Sequence, residues 1–242
     1  MKKQTIRCAK CRVTRKICQK EDGTGPSFCP TLNENQVISE ALRTYQDPHI
    51  REFARRASIQ EGECYANRGS RKKSYISPVK TRVQEVCEFA AKMNYKKLGI
   101  AFCSGLQEEA SLLQDILEKQ GFCVISVICK VGRVPKEQLH IKQQEKINPG
   151  QFESMCSPIA QAYLLNAKGT DFNIVVGLCV GHDSLFLKHS EAPCTVLVVK
   201  DRVLGHNPVA ALYTSAGYYR KLSQVKLGKG GAVRQAMISE DG

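Results

Sequence analysis

The 242-residue sequence lacks the signatures of several common protein classes. It contains no Gly-x-Gly-x-x-Gly or Walker pattern, so it has no specific nucleotide-binding loop. The absence of Gly-x-Ser-x-Gly and His-Glu-x-x-His leaves hydrolase assignments without support. Its longest apolar run, near Asn173 to Val180, is too short to cross a bilayer. We therefore expect no association with a membrane.

The amino-terminal segment lacks both acidic residues and a leader-like apolar stretch. Residues 1–20 carry eight basic side chains and no acidic one. Over the whole chain, 36 Lys and Arg oppose 23 Asp and Glu, which gives a formal net charge of +13. Such a surplus is consistent with an anionic partner, with a solvated basic surface or with cations that neutralise metal-bound thiolates. The net charge alone does not distinguish these three interpretations. Without a leader, we expect a cytoplasmic protein.

Cysteine, by contrast, is abundant, with twelve residues in the chain. In a reducing cytoplasm, cysteine clusters more often ligate metal or do redox work than form disulfides. The first group lies in a polar, basic segment with no hydrophobic core of its own, and consists of Cys8, Cys11, Cys18 and Cys29. We predict that residues 1–32 form a module in which these thiolates hold Zn or an iron–sulfur cluster, since the metal would supply the missing folding energy.

Hydrophobic periodicity divides the rest of the chain. Residues 33–76 are predicted to be a helical connector and residues 227–242 a flexible tail. Between them, residues 77–226 are predicted to form a Rossmann-like α/β domain, in which helices flank a parallel sheet of about four strands. Ser77-Pro78 is expected to cap its first helix. The predicted strands are Leu98–Cys103, Phe122–Lys130, Asn173–Cys179 and Thr195–Lys200, and the predicted helices are Gln107–Gln120, Pro158–Lys168 and His182–His189.

A second group of cysteines converges in this predicted domain. Cys103, Cys129 and Cys179 each end a strand, and Cys156 stands just before the helix that precedes the third strand. Parallel strands place their carboxyl ends along one edge of the sheet, where open α/β folds bind ligands. We predict that these four cysteines hold an iron–sulfur cluster or another thiophilic metal, although each alone is equally suited to a core. The remaining cysteines are predicted to be packing residues: Cys64, Cys87, Cys123 and Cys194.

Polar side chains are expected at the same edge, both in the turn after Cys179 and in the loop after the last strand. A helix start in that turn favours a lowered thiol pKa. The residues assigned to proton transfer or anion binding are His182, Lys200 and His206. The residues assigned to cofactor binding are Asp183, Asp201, Arg202 and Asn207.

Several strings of the chain are similar to those of a known family. They are Cys8-x2-Cys11 with Cys18 and Cys29-Pro30, Gly99–Cys103, Val127–Lys130, Met155-Cys156 with Pro158-Ile159, Gly177–Asp183 and Lys200–Pro208. Over nearly its whole length the chain resembles an uncharacterised family of cysteine-rich proteins, a domain of unknown function spread through anaerobic bacteria and archaea. The resemblance implies metal binding and an anaerobic setting. Ser157 is a departure, because the family usually has Asn there.

Two classes of function follow from these patterns. The first is an iron–sulfur or zinc protein with redox or sulfur-transfer chemistry at the carboxyl edge, acting on a small anionic or sulfur-containing substrate. A metal or sulfur carrier without turnover would use the same residues. The second is a basic four-cysteine finger that contacts nucleic acid, with the α/β domain as a sensor. It is less favoured, because Phe28 is the only aromatic residue before Tyr45 and no recognition helix follows.

Overall fold

A computed structural model describes residues 5–70, 72 and 75–224 of the chain. Contacts between residues divide the protein into two compact units, Met1–Lys80 and Thr81–Gly242. The predicted tail, residues 227–242, lies outside the described residues. In the part that is described, no helix combines the length and apolar character needed to cross a membrane.

The first unit is mainly helical after its cysteine-containing segment. Its helices are α1 (Pro30–Asn33), α2 (Asn35–Arg43) and α3 (Pro48–Glu63), and strand β1 (Tyr65–Ala66) pairs antiparallel with β2 (Ser77–Pro78). Helix α3 has a strong start, because the Asp47 carboxylate accepts hydrogen bonds from the N–H groups of His49 and Ile50. Proline occupies the first helical position, where a missing N–H costs nothing.

The expectation that Ser77-Pro78 opens a helix is wrong. Proline restricts the residue before it to extended backbone, and here both residues form β2. The Val79 N–H then donates to the Cys64 carbonyl at 2.8 Å, which continues the extended segment. The helix α4 (Arg82–Lys92) instead starts after Thr81, whose hydroxyl accepts a hydrogen bond from the Gln84 N–H.

The second unit is an α/β structure, as predicted, with a four-stranded parallel sheet in the order β4-β3-β5-β6. Its strands are β3 (Lys97–Phe102), β4 (Cys123–Ile128), β5 (Phe172–Val176) and β6 (Cys194–Val198). Its connecting helices are α5 (Gln107–Lys119), α6 (Pro158–Ala167) and α7 (His182–His189), and α8 (Val209–Tyr213) and α9 (Lys221–Gln224) follow the sheet. The strands end slightly earlier than predicted, so Cys103, Cys129 and Cys179 lie just beyond them rather than within them.

The strand order determines which helices share a face. The chain moves from β3 to β4 in one direction across the sheet and from β4 through β5 to β6 in the other. Right-handed crossovers then place α5 on one face and α6 and α7 together on the other, where these two helices pack against each other. The direction changes between β3 and β5, which is the place where open α/β sheets form a ligand crevice at their carboxyl edge.

The core of this unit is made of the strands and the helix residues facing them. Leu98, Ile100 and Ile174 are 0% exposed, as is Phe186 of α7. Each is an apolar side chain fully removed from water, worth roughly 1.5–3 kcal/mol of stabilisation. This rigid centre fixes the backbone at the strand ends, and therefore the starting points of the loops that follow.

Candidate functional site

The amino-terminal cysteines lie in a segment held by turns. Cys8–Lys10 forms a short 3-10 turn, and the Cys11 N–H donates to the Cys8 carbonyl at 3.0 Å. Cys29 is buried, while Cys8 and Cys18 are exposed. A Cβ on Gly25 would lie 2.9 Å from the Cys29 sulfur, so glycine allows the chain to pass close to this thiol. In the described part of the chain, no three His, Cys, Asp or Glu side chains are grouped as metal ligands, and the metal module of residues 1–32 stays a prediction.

Backbone hydrogen bonds hold two cysteines of the second unit, Cys103 and Cys129, at the carboxyl edge of the sheet. The Cys103 N–H donates to Val176, the last residue of β5, at 3.1 Å. The Cys129 N–H donates to Phe102, the last residue of β3, at 2.9 Å. Because these bonds prolong the ladders past the strand ends, they fix the positions of the residues that carry the thiols.

The loop between Cys129 and Cys156 returns to its own starting point. The Ser157 N–H donates to the Cys129 carbonyl at 2.7 Å, and the Lys130 ammonium donates to the Ser154 carbonyl at 2.6 Å. Farther out, Lys136 forms an ion pair with Glu153. The two ends of this loop are therefore tied together, which brings Cys156 next to Cys129.

The thiols of Cys103, Cys129 and Cys156 form a row of neighbouring side chains that influence one another's pKa. Hydrogen bonding to Cys129, followed by burial, raises the pKa of Cys103 to about 12. The Cys129 sulfur accepts a hydrogen bond from the Ser104 N–H at 3.3 Å, which fixes it beside the residue that follows Cys103.

Cys156 is the member of the row with a lowered pKa. A hydrogen bond from Cys129 and the nearby Lys130 ammonium lower the pKa of Cys156 to about 6, against the opposing effects of burial and of Cys179. Its side chain is partly accessible, whereas Cys103 and Cys129 are buried. The thiolate is the nucleophilic form of cysteine, so a lowered pKa together with access favours nucleophilic chemistry at Cys156.

The Cys179 thiol contacts a cation. The Arg202 guanidinium donates to the Cys179 sulfur at 3.1 Å, and the hydrogen bond and negative charge of Cys179 raise the pKa of Arg202. The chain reaches this position through Gly177, which has a φ of +64°. A Cβ there would lie 2.6 Å from a methyl carbon of Leu106, so the turn requires glycine both conformationally and sterically.

Two further predicted residues lie with the thiols. A Cβ on Gly105 would lie 3.2 Å from the Lys200 nitrogen, which places this ammonium over the turn that follows Cys103. Burial, followed by the charge of Lys130, lowers the pKa of His182. The Nδ1 atom of His182 is buried and has no hydrogen-bond partner.

The other predicted polar residues form hydrogen bonds local to their own loops. The Asp201 N–H donates to His206 Nδ1 at 3.1 Å, and the Asp201 carboxylate accepts N–H bonds from Val203 and Leu204. The Asp183 carboxylate accepts a bond from the Ser184 N–H. The Asn207 carbonyl accepts one from Ala210. The cofactor-binding roles assigned to Asp183, Asp201, Arg202 and Asn207, and the proton-transfer role of His206, stay predictions.

Sequence reasoning assigned no role to three residues at this edge. Lys130 directly follows a strand-end cysteine and is the cation beside Cys156. Ser157 is the N-cap residue that precedes α6. Gln161 lies one turn later in this helix, and its amide nitrogen donates to the Phe102 and Val127 carbonyls. A lysine after a cysteine and a serine before Pro158 were signals available in the sequence.

Comparison with known proteins now defines the class of this molecule. The chain belongs to the family described as "Protein of unknown function (DUF1847)", which matches residues 29–197. The resemblance seen in the sequence is thus confirmed for the family. The matched range includes Cys29 and all four carboxyl-edge cysteines, whereas Cys8, Cys11 and Cys18 precede it and the Lys200–Pro208 loop follows it.

A similar archaeal protein is also of unknown function. "Uncharacterized protein MJ0455" of Methanocaldococcus jannaschii is 54% identical over 147 residues, which cover 61% of this chain and 74% of that protein. No solved structure matches the chain.

Proposed function

We propose that this protein performs thiolate chemistry, sulfur transfer or a related redox exchange, at the carboxyl edge of a Rossmann-like α/β unit, with Cys156 as the reacting sulfur. The observation that carries the proposal is the convergence of Cys156 on the buried Cys129 beside Lys130, held by the Ser157 N–H bond to the Cys129 carbonyl and by the Lys130 bond to Ser154. This chemistry requires reduced thiols, and the cytoplasmic setting expected from the sequence supplies them.

A nucleophilic cysteine needs ionisation, access and a neighbouring proton source. Cys156 meets the first two requirements, because its pKa is lowered and its side chain is partly accessible. Cys129 meets the third requirement, because its thiol lies beside Cys156 and lowers the pKa of that residue. Cys129 is also the neighbouring thiol that would complete a two-electron exchange once Cys156 carries a bound sulfur.

The second candidate function is metal binding by the same edge, either of an iron–sulfur cluster or of Zn. The donor types favour it, because Cys103, Cys129, Cys156 and Cys179 offer four soft sulfur ligands, although no three of them are grouped as metal ligands in the described part of the chain. The adjacent cations, Lys130, Lys200 and Arg202, would offset the negative charge of a metal–thiolate unit. An iron–sulfur cluster would supply electron transfer, and Zn a structural or Lewis-acid centre.

The thiolate proposal is tested by measuring the alkylation of each cysteine with iodoacetamide at pH 7, using the reduced full-length chain and peptide mass spectrometry. Cys156 is expected to react at least about tenfold faster than Cys123, because a thiol with a pKa of about 6 is mostly ionised at this pH. The prediction that Cys123 is a packing residue is wrong, since Cys123 is exposed at the start of β4, and this exposure makes it a suitable reference. Equal rates at the two sites would overturn the proposal.

Elemental analysis separates the two candidates. Anaerobically purified wild-type protein and the Cys156→Ser and Cys179→Ser variants are compared for iron, zinc and acid-labile sulfide. Metal or sulfide present in the wild type and lost in both variants would make metal binding the better assignment. Equal content in all three proteins would remove the carboxyl edge as a metal site.

A further inference from the structure

Buried polar atoms without partners are concentrated at the carboxyl edge. In the region that the structure describes, these atoms are Ser157 Oγ, Gln161 Oε1 and His182 Nδ1. Ser157 is 4% exposed and Gln161 is 0% exposed, so neither side chain can form a hydrogen bond to bulk water. Buried polar atoms are almost always paired in native proteins, and a group of unpaired ones indicates a place for a polar ligand.

Two helix starts lie at the same place. Helix α6 begins at Pro158 and spans ten residues, and α7 begins at His182 and spans eight. Both follow the carboxyl edge on the same face of the sheet, and the first turn of each leaves backbone N–H groups without an intrahelical partner. Ser157 is the N-cap of α6, yet its hydroxyl forms no capping bond and remains available to a ligand. Helix starts with free donors favour anions.

The charges near these helix starts are mainly positive. The Lys130 ammonium donates to the Ser154 carbonyl at 2.6 Å, in the loop just before Ser157, and the Arg202 guanidinium donates to the Cys179 sulfur at 3.1 Å. The acidic neighbour, Asp183, directs one carboxylate oxygen to the Ser184 N–H. A small anion placed here would therefore meet hard hydrogen-bond donors on one side and the soft sulfur of Cys156 on the other.

We propose that the Ser157 hydroxyl and the start of α6, beside Lys130, bind the oxygens of a sulfur oxyanion that carries a transferable sulfur, the class to which thiosulfate belongs. This inference rests on the proposed role of Cys156 and names its substrate class. A ligand with a hard oxyanion end and a soft sulfur end matches both halves of the site, whereas phosphate or a simple thiol matches only one.

The reaction balances without any further reagent. The Cys156 thiolate attacks the outer sulfur of thiosulfate and forms a new S–S bond with it. The S–S bond within thiosulfate breaks, and its electron pair leaves with sulfite. Cys156 becomes a persulfide, no proton is consumed, and the total charge is unchanged.

The first test incubates the reduced full-length protein with thiosulfate under anaerobic conditions and measures sulfite release and the mass of each cysteine peptide. We expect one sulfur atom on Cys156 and one sulfite released for each persulfide formed. Cys156→Ser is expected to abolish both signals, and the matched control Cys123→Ser to change neither. Ser157→Ala is expected to slow sulfite release about tenfold, as for a lost hydrogen bond to a charged group, and Ser157→Thr to restore it.

A second measurement separates failure of this inference from failure of the thiolate proposal. Cys156 is alkylated with iodoacetamide, which is neutral, and with iodoacetate, which carries an oxyanion. The site is expected to favour iodoacetate over iodoacetamide more strongly than Cys123 does, and Ser157→Ala is expected to remove that preference. Rapid reaction with iodoacetamide, but no sulfite and no preference for iodoacetate, would overturn the oxyanion site and leave only bound water there. If Cys156 reacts with neither reagent, both proposals fail.

Discussion

The two groups of cysteines in this protein are held in different ways. Between Cys8 and Cys29 the chain is positioned by tight turns, and within that range only Cys29 is buried. At the carboxyl edge, Cys103 and Cys129 are the first residues after adjacent strands of the parallel sheet and are themselves buried. Thiols alter one another's proton affinity only when a rigid scaffold keeps them in contact, and the sheet provides that scaffold.

The largest expected effect concerns the amino-terminal group. If a metal holds that segment, Cys11→Ser should remove the metal and reduce hydrogen-exchange protection of residues 5–32 by about a hundredfold or more, since metal binding there supplies the folding energy. Exchange measured by mass spectrometry should show the sheet of the second unit unchanged. Protection retained in the variant would mean that the turns alone suffice and that the two groups are less different than we describe.

The next effect is on the scaffold of the carboxyl-edge group. Ile174→Ala removes a fully buried side chain from β5 and should cost about 3 kcal/mol of unfolding free energy. Val196→Ala on β6 is the control, because that side chain is 36% exposed and should cost less than about 1 kcal/mol. Denaturant unfolding of both variants gives the two values, and similar losses would contradict the central role assigned to β5.

A smaller effect tests the row of thiols. Cys129→Ala deletes the hydrogen bond that stabilises the Cys156 thiolate, so the pKa of Cys156 should rise from about 6 by one unit or more. The pH dependence of iodoacetamide alkylation reports this shift. Cys194→Ala serves as control, because the Cys194 thiol instead donates to the Ala192 carbonyl. An unchanged Cys156 profile in Cys129→Ala would show that the row does not control ionisation.

Lys130→Gln should act in the same direction as Cys129→Ala but more weakly. The ammonium favours the Cys156 thiolate by its charge, and this contribution ranks below the hydrogen bond from Cys129. We expect the alkylation rate at pH 6 to fall a few-fold, and the loss to be larger at low salt than at high salt because ions screen a partly exposed charge. A loss independent of salt would indicate a structural effect of the substitution.

The smallest effect is on the pH dependence of stability, since both thiols concerned are partly screened by solvent. Cys156, with a pKa lowered from 9.0 to about 6, favours the folded state increasingly as pH rises from 6 to 9. Cys103, with a pKa raised from 9.0 to about 12, favours the unfolded state increasingly from pH 9 to 12. The Tm of the wild type minus the Tm of Cys156→Ser should therefore rise between pH 6 and 9. The Tm of the wild type minus the Tm of Cys103→Ser should fall between pH 9 and 12.

The sequence alone determined the α/β architecture of the second unit, because its strands are nearly continuous apolar runs and its helices repeat apolar residues at helical spacing. Helix α7 begins and ends where its pattern predicts, at His182 and His189. The sequence also placed Cys103, Cys129 and Cys179 at the same edge, since parallel strands share their direction. These conclusions depend on local periodicity and on topology rules, and both can be read along the chain.

Only the tertiary structure decided how the thiols differ from one another. The lowered pKa of Cys156 and the raised pKa of Cys103 depend on the contact of each thiol with Cys129, and on the Lys130 ammonium that the loop returns to this edge. The unpaired hydroxyl of Ser157 was equally invisible in the sequence. Such properties arise from distances between residues far apart in the chain, and proton affinity and buried hydrogen bonding vary steeply with those distances.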